Sequence, residues 1–347
     1  MKPSELLPTL QALIPTNQSI LLKGPPGTGK SSIVWQAASA IWNGATSAST
    51  VGGLPDVDWF NVIRATDRDP VDLRGIPYQE NGYTLWAKPD LIAALSKSPA
   101  GVVCIEELPQ ATPAVQCVLR ELLLDRRIGG HKIPDGWCVI ATGNRQEDRA
   151  GAGRLLSHVA SSVIMLDIEV SVDDWQTWAL TAGIAPDVRA FIRFRPSLLW
   201  DFDPSRERNA DPRAYERLSR VIDKVPQYAQ LPVAAGCLGE GPAAEFLAFR
   251  QLYLQLPDPA VILANPTGTT VPTEPAVVYA LIGALTERAR TASDKELGAL
   301  AQFAGRLSGE FGTLLMRDSL AVDPRFATLP STMAWIRTNA HLFASAS

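Results

Sequence analysis

The run Gly24-Pro25-Pro26-Gly27-Thr28-Gly29-Lys30-Ser31 constrains the fold more than any other feature of this 347-residue chain. It satisfies GxxxxGK[ST] at every fixed position. An apolar run at 19–23 precedes it, and a helical pattern over Lys30–Trp42 follows. Glycines let backbone wrap closely around an anion, and the loop N–H groups with the helix N-terminus bind phosphate. Gly24 to Ser32 are therefore the expected nucleotide-binding residues. Lys30 is expected to reach β- and γ-phosphates, and the Ser31 hydroxyl to ligate Mg²⁺.

A phosphate loop needs an acidic site to hold and use the metal. Residues 102–107, Val-Val-Cys-Ile-Glu-Glu, supply one at the end of a buried strand. Glu106 is the expected Mg²⁺ partner, through its water shell, and Glu107 the group that polarises the attacking water. Two solvated carboxylates at a strand end are the bland alternative. The next apolar run, 137–141, leads into Thr142-Gly143-Asn144-Arg145. Asn144 is the candidate for orienting the lytic water, although Gly-Asn is also a common turn.

Short apolar runs at 19–23, 58–64, 101–105, 137–141 and 162–170 alternate with helical patterns, including one over 113–124. That alternation predicts a parallel sheet covered on both faces. Residues 75–88, with Asn81-Gly82 at the centre, read as an inserted hairpin. After 170 the strand patterns stop. Helices are expected over 173–182, 186–194, 211–225, 243–254 and 274–291. The Pro- and Gly-rich stretch 226–242 reads as looser, and 256–275 as a Pro-rich loop. The expected organisation is an α/β P-loop NTPase core with a hairpin insertion over 1–170, a helical lid over 171–225, and a mainly helical extension over 226–347.

These motifs together resemble the AAA+ ATPases, and within them the MoxR-like family. The residues that carry the likeness are GPPGTGKSS, then Asp69-Pro-Val-Asp-Leu-Arg-Gly75, then Ile105-Glu-Glu-Leu-Pro-Gln-Ala111, then Ala141-Thr-Gly-Asn-Arg145, and Asp211-Pro-Arg-Ala214. The likeness spans roughly residues 15–225. It implies an ATP- and Mg²⁺-dependent hydrolase, assembled as a homo-oligomeric, hexameric ring. It also implies that Arg213, at the start of a lid helix, touches the γ-phosphate. Such proteins remodel or activate a protein client, and members are often paired with a von Willebrand factor A domain protein.

The chain departs from the family pattern at two places. Glu106 stands where Asp is usual, and Ser161-Ser162-Val163 stands where Asn-Arg-Phe usually supplies an arginine to the neighbouring subunit. Arg149 and Arg154, in the preceding loop, are the expected substitutes; a solvated surface loop is the alternative. These departures keep open an ATP-gated binding or assembly module with little intrinsic hydrolysis. A nucleic-acid-remodelling ATPase is a further alternative, prompted by the arginines between 189 and 220. The net charge of −4 weighs against it.

Composition excludes other classes. The longest apolar run, 276–285, is far short of the ~20 residues of a membrane helix. No secretory leader pattern is visible before Leu22, where Pro3, Pro8 and Pro15 interrupt. Cys104, Cys117, Cys138 and Cys237 form no CxxC, and the three histidines show no metal-ligand spacing. The expectation is a reduced, cytoplasmic protein with no membrane partner. Trp175 and Trp178 are expected in the lid core. Asp67, Asp69 and Asp72 lack the Gly and Glu of a calcium loop.

Overall fold

The computed structural model describes residues 1–42, 54, 57–145 and 153–339. They divide into two compact units, Met1–Asp174 and Trp175–Ser347.

The first unit is built on five parallel strands: β1 (Ile20–Lys23), β2 (Phe60–Arg64), β5 (Ala100–Glu106), β8 (Gly136–Gly143) and β9 (Ile164–Asp167). Their spatial order is β2-β5-β8-β1-β9. Alternate side chains enter opposite cores, as strand pleating requires. Ile20, Leu22, Val102, Cys104, Cys138 and Ile140 face α1 (Pro3–Leu13) and α2 (Lys30–Trp42). Leu21, Val103, Ile105, Val139 and Ala141 face α3 (Pro70–Arg74), α4 (Asp90–Leu95) and α5 (Pro113–Arg120). Both faces of β1, β5 and β8 are covered, which is why these strands read as continuous apolar runs rather than alternating ones, whereas the edge strand β9 leaves Ile164 and Met165 exposed.

Two hairpins branch from this unit. The first pairs β3 (Pro77–Glu80) with β4 (Tyr83–Trp86), within the expected insertion. Asn81 and Gly82 both have positive φ, 52° and 80°, as a two-residue hairpin turn demands. At its base Gly75 has φ 87°, and a Cβ there would lie 2.1 Å from the Ala87 carbonyl oxygen. The second pairs β6 (Arg127–Ile128) with β7 (His131–Lys132) through Gly129-Gly130. Sequence reasoning missed it; the Gly-Gly pair was its signal. The helix expected over 113–124 is α5 continued without a break through a wider π-type turn, Glu121–Asp125, which ends at Arg126 in the left-handed region. A four-residue helix, α6 (Ser157–Ala160), precedes β9.

The helix α7 (Val172–Thr181) crosses the boundary into the second unit, which is helical: α8 (Pro186–Phe194), α9 (Pro212–Val221), α10 (Gln227–Leu238), α11 (Glu240–Leu254), α12 (Pro259–Ala264), α13 (Pro275–Ala289), α14 (Asp294–Ala304), α15 (Gly309–Val322) and α16 (Pro330–Thr338). The stretch expected to be loose, 226–242, is instead α10 and the start of α11. Pro232 lies inside α10 on the exposed side. The carbonyl it frees, on Tyr228, belongs to a residue that is itself exposed, so water can satisfy it. The Pro-rich 256–275 stretch likewise contains α12, capped by Asp258.

Residues 187–192 of α8 are all buried, although two of them are charged. Each charge has a partner on another helix: Asp187 on Arg250 of α11 at 2.7 Å, Arg189 on Glu287 of α13 at 2.8 Å. Arg193, one turn on, meets Asp318 of α15 at 3.1 Å. A Cβ on Gly283 would lie 2.8 Å from the Ala190 Cβ, so glycine permits α13 to pack closely on α8. Leu281, Leu285, Leu297, Leu300, Phe303 and Leu315 belong to the core of the following helices. Among the described residues no helix is long and apolar enough to cross a membrane.

Candidate nucleotide site

The phosphate loop leaves β1 at Lys23 and enters α2 at Lys30. Gly27 and Gly29 take φ of 75° and 77°, the left-handed region that glycine occupies without steric cost. Gly24 N–H donates to the Gly143 carbonyl at 3.2 Å, joining the loop to the end of β8. A Cβ on Gly24 would sit 2.2 Å from Ile168 Cγ2 and 2.9 Å from its carbonyl oxygen. The Thr28 hydroxyl donates to the Pro25 carbonyl at 2.8 Å.

The Lys30 ammonium donates to the Gly24 carbonyl at 2.9 Å, the Pro25 carbonyl at 2.7 Å and Asn144 Oδ1 at 3.0 Å. The strand order explains the last contact. β8 lies between β1 and β5, with Lys23 level with Gly143 and Ile105 level with Ala141. Asn144, one residue beyond β8, therefore emerges between the phosphate loop and the acidic tip of β5. Ligands of open parallel sheets bind at this carboxyl edge.

At that tip, Glu106 accepts a contact from Arg64 of the adjacent β2 at 3.5 Å. Glu107 turns into the left-handed region, φ 58°, which swings it out of the strand direction. Its Oε2 accepts from the Thr66 hydroxyl at 3.2 Å. Thr66 and Arg64 were not foreseen; their place at the end of the neighbouring strand was the available signal. Burial, and next the Glu106 carboxylate, push the Cys104 thiol well above its ordinary range, against a side-chain hydrogen bond with Ser31. A neutral thiol leaves only oxygen donors here, Ser31 and Glu106. That set suits a hard cation such as Mg²⁺. Among the described residues no three His, Cys, Asp or Glu side chains are grouped to hold a metal unaided. Phosphate oxygens and water would have to complete the shell.

The candidate arginines lie apart from this cluster in sequence. Arg149 falls outside the described residues. Arg154 is exposed, and among the described residues its guanidinium makes no hydrogen bond or ion pair. Ser161 and Ser162, where the family has its arginine, donate their hydroxyls to the His158 carbonyl at 3.1 and 2.9 Å and close α6. Arg213 is exposed in the first turn of α9, behind Asp211, whose carboxylate accepts from Ala214 N–H at 2.7 Å. Burial raises the Asp211 pKa, opposed first by that N–H and next by Arg213. Of the other arginines between 189 and 220, Arg189, Arg193, Arg195, Arg206 and Arg220 are ion-paired within the chain. These pairings leave little for the alternative of a nucleic-acid-binding basic track. Trp175 is buried against Tyr215, ring centroids 6.3 Å apart, as core. Asp69 and Asp72 cap α3.

Residues 19–157 match the family described as AAA domain (dynein-related subfamily). No curated protein matches the chain. Among solved structures it is similar to NtrX from Brucella abortus, at 14% identity, 98% of this chain, 67% of that chain and a TM-score of 0.39. The ADP complex of that protein gives 15%, 98%, 68% and 0.37. A RuvB mutant from Thermotoga maritima gives 16%, 81%, 80% and 0.35. The family match spans the phosphate loop, the acidic tip and the Asn144 turn alike, which supports an AAA+ ATPase.

Proposed function

We propose that the chain binds and hydrolyses ATP as a MoxR-like AAA+ ring ATPase, and that the ring remodels or activates a protein client. The observation that carries this reading is Asn144 at 3.0 Å from the Lys30 ammonium, delivered there by the strand inserted between β1 and β5.

The roles rest on residue chemistry and on the family likeness. Loop N–H groups and Lys30 hold the phosphates, and Asn144 and Glu107 flank the place of the attacking water. Ser31 and Glu106 are the residues that would hold Mg²⁺, which when bound supplies charge neutralisation on the phosphate oxygens. Arg213, on a lid formed by residues 171–225, serves the γ-phosphate. Arg154 or Arg149 serves the site of the next subunit in a homohexamer. The lid shares one helical unit with residues 226–347 through the α8 ion pairs. The first hairpin offers Tyr83, 73% exposed, with Tyr78, Leu85 and Trp86 as the client-facing candidate. A von Willebrand factor A domain protein is the client class to test.

A second reading, an ATP-gated assembly module with little turnover, draws support from the Arg64–Glu106 contact and from the serines bonded to the His158 carbonyl. One experiment separates the two: nucleotide affinity and phosphate release, with and without Mg²⁺, for the natural chain, Lys30→Ala and Glu107→Gln. The ATPase reading requires Mg²⁺-dependent release that Glu107→Gln abolishes while still binding ATP. Binding without release in the natural chain favours the module. No binding, or binding indifferent to Lys30→Ala, defeats both.

A further inference from the structure

Gln116 is a buried amide, 1% exposed, in a helix whose other buried residues Val115, Val118 and Leu119 are apolar. Its Nε2 donates toward the Ala111 carbonyl at 3.1 Å, the Arg154 carbonyl at 3.3 Å and the Pro109 carbonyl at 3.4 Å. Its Oε1 accepts from Leu156 N–H at 3.0 Å. Two separate pieces of backbone are thereby joined. One is the turn that follows Glu107, itself closed by Gln110 N–H on the Glu107 carbonyl at 2.9 Å. The other is the segment that presents Arg154.

Pro109 is gripped from two further sides. A Cβ on Gly143 would lie 2.3 Å from Pro109 Cδ, and one on Gly153 would lie 2.3 Å from the Pro109 carbonyl oxygen. Gly143 precedes Asn144 and Gly153 precedes Arg154. The turn that carries Glu107 therefore bears directly on the backbone of the Asn144 strand and on that of Arg154. A buried amide is worth keeping only when its donors and acceptor are used, and here both ends are.

We propose that Gln116 is a positioning residue for hydrolysis. It ties the backbone presenting Arg154 to the turn after Glu107, so that the arginine offered to the next site is held in place. The inference rests on the reading of Arg154 as the arginine that completes a neighbouring subunit's site.

The test is a double-mutant cycle in the full-length chain, reading kcat and KM for ATP. Gln116→Met keeps length and volume but removes every hydrogen bond. It is expected to lower kcat by about 10²-fold, the cost of a small misplacement at a reacting centre, with KM unchanged. In an Arg154→Ala background the same change is expected to cost almost nothing further, because the two act through one arginine. Gly153→Ala, which pushes the same segment from the other side, is expected to behave alike and covers the case of a Gln116 variant that does not fold. Gln116→Met and Gly153→Ala both at natural kcat would overturn the proposal. So would losses that multiply in the Arg154→Ala background. An Arg154→Ala chain with natural kcat would sink the reading of Arg154, visible in that arm alone, and this inference with it.

Discussion

Replacing Asn144 with alanine separates two jobs that the structure gives one side chain. Its Oδ1 accepts from the Lys30 ammonium, which also donates to the Gly24 and Pro25 carbonyls. Those contacts must give way before the ammonium can turn to a phosphate. A hydrogen bond to a charged group is worth about 1.5–3 kcal/mol, and water replaces part of it at a half-buried site. A net of about 1 kcal/mol remains, so Asn144→Ala is expected to tighten ADP binding roughly fivefold. Turnover should move the other way. A single polar group held at a reacting centre is worth about 10²–10³ in rate, so kcat falls by about that factor. Fluorescent-ADP titration and steady-state phosphate release measure the two. A variant that binds ADP more weakly than the natural chain would refute the reasoning, because the Lys30 contact would then not compete with nucleotide. An unchanged kcat would remove Asn144 from the reaction.

Other outcomes follow from single contacts. Arg250→Met leaves Asp187 buried without its counter-charge, and breaking a buried pair costs about 3–5 kcal/mol; chemical denaturation should show the loss, with Asp187→Leu added recovering most of it. Burial already raises the Asp187 pKa, with Arg250 opposing. A raised folded pKa means stability falls as pH rises through it, so the Arg250→Met penalty should shrink as pH is lowered and Asp187 protonates. An equal penalty at all pH values would contradict this. Gly24→Ala places a methyl inside the Ile168 side chain and should cost about 1–3 kcal/mol in melting experiments, together with nucleotide affinity; an alanine variant with natural Tm and affinity would show the contact to be soft.

Where the sequence was legible, one physical cause dominated. The phosphate loop, the strand ends at Glu106 and Gly143 and the Asn81-Gly82 hairpin are set by local backbone demands that few residue types meet. The helix over Pro275–Ala289 was legible for the same reason, as an apolar run bounded by proline. Failures came where tertiary context overrode local chemistry. Pro232 and Gly236 read as breakers, yet α10 forms because its proline faces solvent while Ala234, Cys237 and Leu238 pack inside. The Gly129-Gly130 hairpin has only two residues per strand, too few to show alternation; Gly129 is required because the Arg74 carbonyl crowds it. The Arg64–Glu106, Thr66–Glu107 and Gln116 contacts join residues distant in the chain, and no spacing rule announces them. The charges of α8 read as solvated faces and ion pairs; that they are buried follows only from partners sixty to more than a hundred positions away.

The central claim is that one copy of the chain completes the ATP site of another. Specific ATPase activity against protein concentration, with Lys30→Ala as the blank, tests it most directly. The account predicts a per-subunit rate that climbs with concentration and then levels as assembly saturates. A per-subunit rate that is constant over the whole range, whether well above the blank or indistinguishable from it, would contradict the claim.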